Sequence, residues 1–262
     1  MSKTIIIEKE GSIMTIRLNR PESFNALNPE MGDEMIAAVS SAYGDRSTRA
    51  VVITGNGKAF CAGGDIQFMM DWDGPKREAL GMLTHKLHRL ILDLRNLPKP
   101  IIVSINGVAT GAGFSIAMAC DYKIASTEAK FKQSYTSIGL SPDGGWTASV
   151  ARQVGMAKAS ELLLLDPVMK AEEALRLGLI NKLVSPDELM QETKELASQA
   201  VSRSQVGFAA GKALLNQSLG FGLAEQLETE RNEIMKVCEA EDFQEGISAF
   251  LEKRAPNFTG TL

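Results

Sequence analysis

The residues best suited to chemistry lie in a segment that runs from Ile101 to Asp121, IIVSINGVATGAGFSIAMACD. Apolar, β-branched residues at its start predict a buried strand, and good helix formers at its end predict a buried helix. Between them, Gly107, Gly111 and Gly113 allow the main chain to turn tightly and to approach a ligand closely. Because the first amides of a helix have no partner within it, this turn is either purely structural or a site that stabilises negative charge on oxygen.

A second glycine-rich turn, GNGKAFCAGGD, spans residues 55–65 and also leads into an apolar segment with helical character. The order G-x-x-x-G-x-G of the first turn matches neither a dinucleotide-binding fingerprint nor a phosphate-binding loop with its Lys-Ser/Thr pair. Two such turns can instead direct two backbone N–H groups at one carbonyl oxygen.

Few other side chains combine in a chemically suggestive way. Asp143 lies in SPDGG, a sequence typical of turns. His85 and His88 are three residues apart on a predicted helix, but no cysteine or carboxylate accompanies them at ligand spacing, and we predict no metal site. Asp65 and Asp121 follow strongly patterned turns and are expected to cap helices or to accept hydrogen bonds.

The composition limits the partners of the chain. With 262 residues, 44% of them hydrophobic, it can form one large core or a core with a small helical appendage. A net charge of −4 and a pI near 5.4 argue against binding to nucleic acid or to anionic membranes. Cys61, Cys120 and Cys238 predict neither a disulfide framework nor a zinc site, and no signal peptide or membrane-spanning run is indicated. We therefore expect a reduced, cytoplasmic protein.

Strands and helices alternate in the first part of the chain. Short β-branched or alternating runs predict strands at 4–8, 13–18, 50–54, 101–105 and 122–126, with KFKQSYTSIGL at 130–140 as a further strand. Apolar residues at helical spacing predict a helix after Asn28-Pro29 and a helical stretch from Met69 to Leu90. From about residue 147 onward the chain is predicted to be helical. This order indicates an α/β core followed by a helical C-terminal part.

Five segments, in this order along the chain, resemble motifs of the crotonase (enoyl-CoA hydratase/isomerase) superfamily. They are NRPESFNALN at 19–28, GNGKAFCAGGDI at 55–66, KPIIVSINGVATGAGFSIAMACD at 99–121, AEEALRLGLINKLV at 171–184 and FLEKRAPNFTG at 250–260. The resemblance extends over essentially the whole chain. IGLSPDGGWT and the last of the five segments look most like the isomerases of phenylacetyl-CoA degradation, which act on a ring epoxide or an enoyl double bond.

The resemblance implies an α/β fold in which ββα units form a spiral core and a helical C-terminal region forms trimers. On this basis residues 1–195 are assigned to the CoA-binding core and residues 196–262 to the oligomerisation region of a homotrimer or a dimer of trimers. The implied substrate is an acyl-CoA thioester. No separate cofactor is implied, because coenzyme A enters as part of the substrate.

The resemblance also assigns roles to individual residues. The amides of Gly64 and Ala112 match the oxyanion hole, which binds the thioester oxygen as an enolate forms. Residues expected around coenzyme A are Lys58, Ala59, Ala62, Asp65, Ile66, Phe250 and Lys253. At the acyl pocket the resemblance places Ser115 and Tyr135. Phe68, Met69 and Trp146 are expected there from their residue type, with core packing as the alternative. Two of the residues expected around coenzyme A have an equally good alternative to that contact: Phe250 could pack in the core, and Lys253 could lie on a solvated helix face.

The chain departs from the hydratases of this superfamily at the positions that act on water. Two glutamates flank the site in those enzymes, and Ser115 and Tyr135, which match them here, cannot act as carboxylate bases. Asp143 instead occupies a position that is glycine in hydratases. The same position is aspartate in the phenylacetyl-CoA pathway isomerases, in dienoyl-CoA isomerases and in 4-chlorobenzoyl-CoA dehalogenases. We therefore predict an acyl-CoA isomerase in which Asp143 moves a proton between two carbons, shifting a double bond or opening a ring.

Three alternatives remain open. The chain could be an enoyl-CoA hydratase that lacks the two glutamates, or a non-catalytic member that binds coenzyme A esters without using Asp143. It could also be a dehalogenase-like enzyme in which Asp143 attacks an aromatic ring carbon, although those enzymes have tryptophan where this chain has Tyr135. The acyl group is not indicated, because the segment at 67–81 that would shape its pocket has no diagnostic motif.

Overall fold

The computed structural model describes residues 4–260 of the chain. Within this range the strands are β1 (Ile5–Glu10), β2 (Ile13–Leu18), β3 (Ala50–Gly55), β4 (Ala59–Cys61), β5 (Ile101–Ile105), β6 (Val108–Thr110), β7 (Tyr122–Ser126), β8 (Lys130–Lys132), β9 (Met169–Lys170) and β10 (Lys182–Val184). Six of them form one sheet in the order β1-β2-β3-β5-β7-β10, and the other four form a second sheet in the order β4-β6-β8-β9.

The helices within the same range are α1 (Pro29–Gly44), α2 (Ile66–Asp71), α3 (Lys76–Asn96), α4 (Ala112–Ala119), α5 (Trp146–Val154), α6 (Met156–Leu165), α7 (Ala171–Arg176), α8 (Leu189–Val201), α9 (Gln205–Gln217), α10 (Leu223–Val237) and α11 (Glu241–Glu252). Short 3₁₀ turns occur at Pro21–Ser23 and Thr136–Ile138. The last four helices follow the final strand, which confirms the helical C-terminal part. Among the described residues, no helix is both long enough and apolar enough to cross a bilayer.

The six-stranded sheet is covered on both faces. The β1–β2 hairpin is antiparallel, and β2, β3, β5, β7 and β10 run parallel. Successive strand residues point to opposite faces. Val51 and Ile53 therefore pack in the main core, while Val52 packs with Leu189 and Ala197 of α8 on the other face. A continuous apolar run such as AVVIT is typical of a strand buried on both sides, and the structure confirms this interpretation.

The chain repeats a unit of two strands and a helix. β3, β5 and β7 lie in the six-stranded sheet, and the strand after each of them, β4, β6 or β8, lies in the other sheet. α2, α4 and α5 follow these pairs in turn, which confirms the ββα arrangement. Because β4, β6 and β8 are parallel neighbours, their carboxyl ends lie at one edge of the four-stranded sheet. The segments that follow these strands therefore meet at that edge.

Most of the longer elements agree with the sequence prediction. The hairpin, the apolar strands β3, β5 and β7, and the helix after Asn28 are confirmed, and the Asn28 side chain caps α1 by accepting a 2.9 Å hydrogen bond from the Met31 amide. Two predictions were wrong: KFKQSYTSIGL is a strand only at Lys130–Lys132, and the chain after residue 147 contains β9 and β10. The helical stretch from Met69 to Leu90 is confirmed as parts of α2 and α3, with an interruption at residues 72–75.

The C-terminal helices are tied to the core by a buried ion pair. Lys212 of α9 contacts the Asp121 carboxylate at 2.8 Å and also donates to the Leu94 carbonyl at 3.0 Å. The same Asp121 oxygen accepts a 2.9 Å hydrogen bond from the Ile101 amide at the start of β5. Asp121 is thus a hydrogen-bond acceptor, as the sequence predicted. Residue 195 lies inside α8, and the division of the chain there stays a prediction.

Candidate active site

Two glycine turns meet where β4 and β6 end. The turn after β4 contains Gly63, with a φ of 106°, and the turn after β6 contains Gly111, with a φ of 50°. The Thr110 hydroxyl donates a 2.8 Å hydrogen bond to the Ala62 carbonyl. A Cβ placed on Gly63 would lie 3.6 Å from the amide nitrogen of Ala112. The two turns are therefore in direct contact, and their positive φ values require glycine.

The amides of Gly64 and Ala112 are unpaired at this junction. Both residues line a cavity beside the turns, and among residues 4–260 neither N–H donates to a protein acceptor. Ala112 is the first residue of α4, so its N–H has no acceptor within the helix. Two unpaired N–H groups in adjoining turns can stabilise negative charge that develops on one oxygen atom.

The start of α4 is held tightly against β4. A Cβ placed on Gly113 would lie 2.1 Å from the Cys61 carbonyl oxygen and 2.7 Å from the Cys61 Cβ, so only glycine fits there. Every residue of α4 is buried, which accounts for its apolar sequence. This close packing fixes Ala112 relative to the turn that carries Gly64.

The cavity beside the two turns has a volume of about 240 Å³. Aliphatic side chains form most of its wall: Leu27, Met69, Leu80, Leu83, Leu87, Ile138 and Leu140. Polar side chains also reach it: Thr84, Ser134, Tyr135, Ser137 and Asp143. Among the described residues of the lining, Asp143 is the only carboxylate. The cavity therefore suits an apolar group attached to a carbonyl whose oxygen lies at the two amides.

Two hydroxyl groups hold the main chain at Asp143. Its carbonyl oxygen accepts hydrogen bonds from Ser115 Oγ at 2.9 Å and from Tyr135 Oη at 3.4 Å. The next residue, Gly144, has a φ of 62°, and a Cβ there would lie 2.8 Å from the Ser115 Cβ and 2.9 Å from the Leu87 Cδ2. Ser115 and Tyr135 thus act on the segment that carries the carboxylate.

Burial keeps the Tyr135 phenol in its neutral form. Loss of hydration raises the pKa of Tyr135 to about 12, and the nearby charge of Asp143 also raises it, while hydrogen bonds with Ser115 and with the Asp143 main chain lower it. At neutral pH the phenol is therefore a hydrogen-bond donor and not a base. This leaves the Asp143 carboxylate as the group in the cavity that can take a proton from carbon.

His88 of α3 contacts the Asp143 carboxylate. Its Nε2 lies 2.5 Å from Asp143 Oδ1, and 56% of the His88 side chain is exposed against 23% of the Asp143 side chain. The sequence analysis considered His88 only as a metal ligand, rejected that role, and did not predict this contact. The two residues are 55 positions apart, and no local pattern in the sequence relates them.

The predicted substrate-binding residues are only partly brought together. Gly64, Ala112, Ala62, Ile66, Met69, Tyr135 and Asp143 line the cavity. Ser115 and Trp146 are buried and, among the described residues, do not belong to its lining, and neither does Phe68. The predicted contacts of these three residues with an acyl group stay predictions.

The residues predicted to contact coenzyme A are distributed in a similar way. Lys58 is exposed, Ala59 is buried, and the Asp65 carboxylate is occupied by a cap and an ion pair. Phe250, 82% exposed, and Lys253 lie at the end of α11 and are not part of the cavity lining. Contacts of these residues with coenzyme A stay predictions.

The cysteines offer no reactive group at the site. Burial raises the pKa of Cys61 to about 11 and that of Cys120 to about 12, so both thiols are protonated and weakly nucleophilic. In the part of the chain that the structure describes, no group of three His, Cys, Asp or Glu side chains could hold a metal ion.

Comparison with known proteins shows similarity over the full chain. The family model described as enoyl-CoA hydratase/isomerase matches residues 8–261. A crotonyl-CoA hydratase of Syntrophomonas wolfei subsp. wolfei is 37% identical over 257 residues, which cover 98% of each chain. A 1,2-epoxyphenylacetyl-CoA isomerase of Escherichia coli (strain K12) is 36% identical over 262 residues, which cover 99% of this chain and 100% of the relative.

Solved structures have the same fold. An enoyl-CoA hydratase from Polaromonas sp. JS666 superposes with a TM-score of 0.92 at 38% identity, covering 97% of this chain and 99% of that chain. The crotonyl-CoA hydratase and the 1,2-epoxyphenylacetyl-CoA isomerase are thus about equally similar to this sequence, at 37% and 36% identity. Overall similarity does not distinguish the two reactions, so the site must do so.

Proposed function

The chain belongs to the enoyl-CoA hydratase/isomerase family, and we propose that it isomerises an acyl-CoA thioester by proton transfer through Asp143. One observation carries the proposal: the cavity contains two unpaired amides and a single carboxylate, among the residues described. In this proposal the amides of Gly64 and Ala112 bind the thioester oxygen, and the Asp143 carboxylate transfers a proton.

The amides of Gly64 and Ala112 make it easier to remove a proton from a carbon of the acyl chain. When the thioester oxygen lies between them, removal of a proton from the acyl chain places the resulting negative charge on that oxygen, where both N–H groups stabilise it. Loss of one such donor typically lowers kcat by about 10²–10³-fold. The amides act on any thioester that reaches them, so they do not by themselves select the reaction.

Asp143 selects the reaction. As a carboxylate it takes a proton from one carbon, and as the carboxylic acid it returns a proton to another, so that a double bond moves or a strained ring opens with no net gain of protons. Ser115 and Tyr135 support this role because both donate to the Asp143 carbonyl oxygen. Addition of water with two carboxylates, as in the hydratases that the sequence resembles, has no matching pair among the described residues that line the cavity.

We also propose a homotrimer or a dimer of trimers. In the single chain, α10 and α11 leave large apolar side chains exposed: Leu223, Leu227, Ile234, Met235, Phe250 and Leu251. A monomer seldom exposes so many apolar residues on two consecutive helices. Light scattering at micromolar concentration tests this proposal, and a monomer would contradict it and leave Phe250 without a partner.

Exchange of substrate protons with D₂O tests the proposed reaction. We expect the protein to exchange protons of 3-enoyl-CoA thioesters and to isomerise at least one thioester of a panel that includes epoxides of aromatic acyl groups. Asp143→Asn should lower kcat by about 10²–10⁴-fold and leave thioester affinity nearly unchanged. The matched control is Asp33→Asn, an exposed aspartate paired with Lys86. Binding without exchange or turnover across the panel would favour a non-catalytic family member.

The contact between His88 and Asp143 favours one second candidate. Asp143 could attack a halogenated aromatic ring carbon of the acyl group, form an aryl ester and release halide. Water, losing its proton to His88, would then cleave the ester at the Asp143 carboxyl carbon. Repeated turnover in H₂¹⁸O separates the two reactions, because only this route places ¹⁸O in Asp143. An unlabelled Asp143 together with rapid isomerisation would exclude it.

A further inference from the structure

Apart from Leu27, whose side chain lines the cavity, the segment NRPESFNALN has no role in the reaction derived above, yet it contacts the turn that carries Gly64. Arg20 lies in this segment, and its Nη2 is 2.8 Å from Asp65 Oδ2. Its Nη1 donates to the Ala26 carbonyl oxygen at 2.5 Å. The Arg20 and Asp65 side chains are only 19% and 10% exposed, so the ion pair is shielded from solvent.

Asp65 links this ion pair to two adjacent elements. Its Oδ1 accepts a 3.1 Å hydrogen bond from the Phe68 amide and so caps α2. Its own amide donates to the Leu27 carbonyl at 2.9 Å. Both carboxylate oxygens and the amide of Asp65 are therefore engaged, immediately after Gly64 in the chain.

The main chain on the other side of Gly64 is held by the same segment. The Leu27 amide donates to the Gly63 carbonyl at 2.7 Å, and the Ala62 amide donates to the Phe24 carbonyl at 3.0 Å. Leu27 and Gly64 form a parallel bridge. The neighbours of Gly64 are thus bound to the segment on both sides, while the Gly64 amide stays unpaired.

A buried asparagine fixes the segment itself. Asn25, with no exposed surface and a φ of 56°, donates from Nδ2 to the Ala59 carbonyl at 2.8 Å. Its Oδ1 accepts a 2.9 Å hydrogen bond from the Arg20 amide. A left-handed conformation at a non-glycine residue persists only where the surrounding contacts require it. The backbone of Arg20 is therefore anchored to the strand that precedes the Gly64 turn.

We propose that Arg20 is a positioning residue which, through Asp65, fixes the direction of the Gly64 amide toward the thioester oxygen. This inference rests on the proposed role of Gly64. A hydrogen bond to an oxyanion depends steeply on distance and angle, so a shift of about 1 Å in the turn can lower the rate by about 10²-fold. Arg20 is not among the described residues that line the cavity, so its proposed role is positioning and not contact with the thioester.

The test compares Arg20→Gln with a matched control, Arg17→Gln. Arg17 lies three residues earlier, is 23% exposed and pairs with Glu8 at 3.2 Å, but it does not contact the Gly64 turn. If Arg20→Gln does not fold, Arg20→Lys replaces it in the test. Lysine keeps the positive charge but cannot contact Asp65 and the Ala26 carbonyl with two separate N–H groups of a planar guanidinium. Asp65→Asn and the double variant Arg20→Gln/Asp65→Asn show whether the two residues act as one unit.

The readout is the carbonyl stretching frequency of a saturated acyl-CoA that carries ¹³C at the thioester carbonyl. Bound to the native protein, this carbonyl should absorb at lower frequency than in water, because two amides polarise it. We expect Arg20→Gln to lose part of this shift and to lower kcat by about 10- to 100-fold, with KM changed less than about threefold. The double variant should be no more than about twofold worse than either single variant.

Two results overturn the proposal. One is the native carbonyl shift and kcat in a folded Arg20→Gln or Arg20→Lys protein. The other is an equal loss in Arg17→Gln, which would indicate a general effect on stability. If the native protein binds no acyl-CoA, the proposed function fails. Hydrogen exchange at the Asp65 amide then tests the positioning role by itself. The proposal requires this amide to exchange faster in Arg20→Gln than in Arg17→Gln, and equal rates would overturn it.

Discussion

The two glycine turns with unpaired amides and the Asp143 segment lie side by side at one edge of the small sheet, but they are held in place by different means. Main-chain contacts predominate at the turns: short approaches at Gly63 and Gly113 and hydrogen bonds with the segment at 24–27. The Arg20–Asp65 ion pair and the Thr110 hydroxyl add two side-chain contacts. Side chains fix the Asp143 segment, through Ser115, Tyr135 and His88. Under the proposed function, the comparison teaches that binding of the carbonyl depends mainly on the backbone, whereas the choice of reaction depends on a few side chains.

The largest effect is expected where the backbone arrangement has no room to adjust. Gly113→Ala places a methyl group 2.1 Å from the Cys61 carbonyl oxygen, so α4 must move away from β4. We expect a loss of about 3 kcal/mol or more in stability, together with loss of the carbonyl shift of a bound thioester. Gly81→Ala is the control, since a Cβ there meets nothing within 4 Å. A native melting temperature in Gly113→Ala would show that the turns tolerate displacement.

A smaller effect is expected where side chains hold the Asp143 segment. Ser115→Ala and Tyr135→Phe each remove one donor to the Asp143 carbonyl oxygen, and a hydrogen bond of this kind contributes about 1 kcal/mol. We expect kcat to fall by about fivefold in each variant, with the carbonyl shift unchanged. Steady-state kinetics and infrared spectra on the same samples check this. A reduced carbonyl shift in either variant would mean that the two regions are not independent.

An effect seen only at alkaline pH concerns the stability of the folded chain. The pKa of Tyr135 is raised from an ordinary value of 10 to about 12 in the folded state. Between these values the unfolded chain releases the phenolic proton and the folded chain keeps it, so stability falls as pH rises. Between pH 10 and pH 12, we expect the free energy of unfolding to fall by about 2 kcal/mol less in Tyr135→Phe than in the native protein. Urea unfolding at several pH values measures this, and parallel curves for both proteins would contradict it.

The fold was predictable where the sequence pattern is local. The apolar runs of β3, β5 and β7 and the hairpin of β1 and β2 each contain enough β-branched residues to define a strand. The strands β4, β6, β9 and β10 have three residues or fewer. They exist because they pair with distant partners, such as Met169 with Phe131, and a local pattern cannot show that pairing.

The candidate site was predictable to the same extent. Glycine turns are visible in sequence because glycine itself is the signal, and the resemblance to the family supplied Gly64 and Ala112 as the specific amides. Two contacts were not predicted: His88 with Asp143, and Arg20 with Asp65. Each joins residues of different elements that only the folded chain brings together, and neither residue pair has a characteristic spacing.

The most direct test of this account measures two properties of one variant, Asp143→Asn. The carbonyl frequency of a bound ¹³C-labelled saturated acyl-CoA reports the two amides, and deuterium uptake by a 3-enoyl-CoA in D₂O reports the carboxylate. We predict that Asp143→Asn keeps the full carbonyl shift and lowers deuterium uptake by about 10²–10⁴-fold. The division of roles between the two regions would be contradicted if Asp143→Asn kept the native deuterium uptake. It would also be contradicted if this variant lost the carbonyl shift.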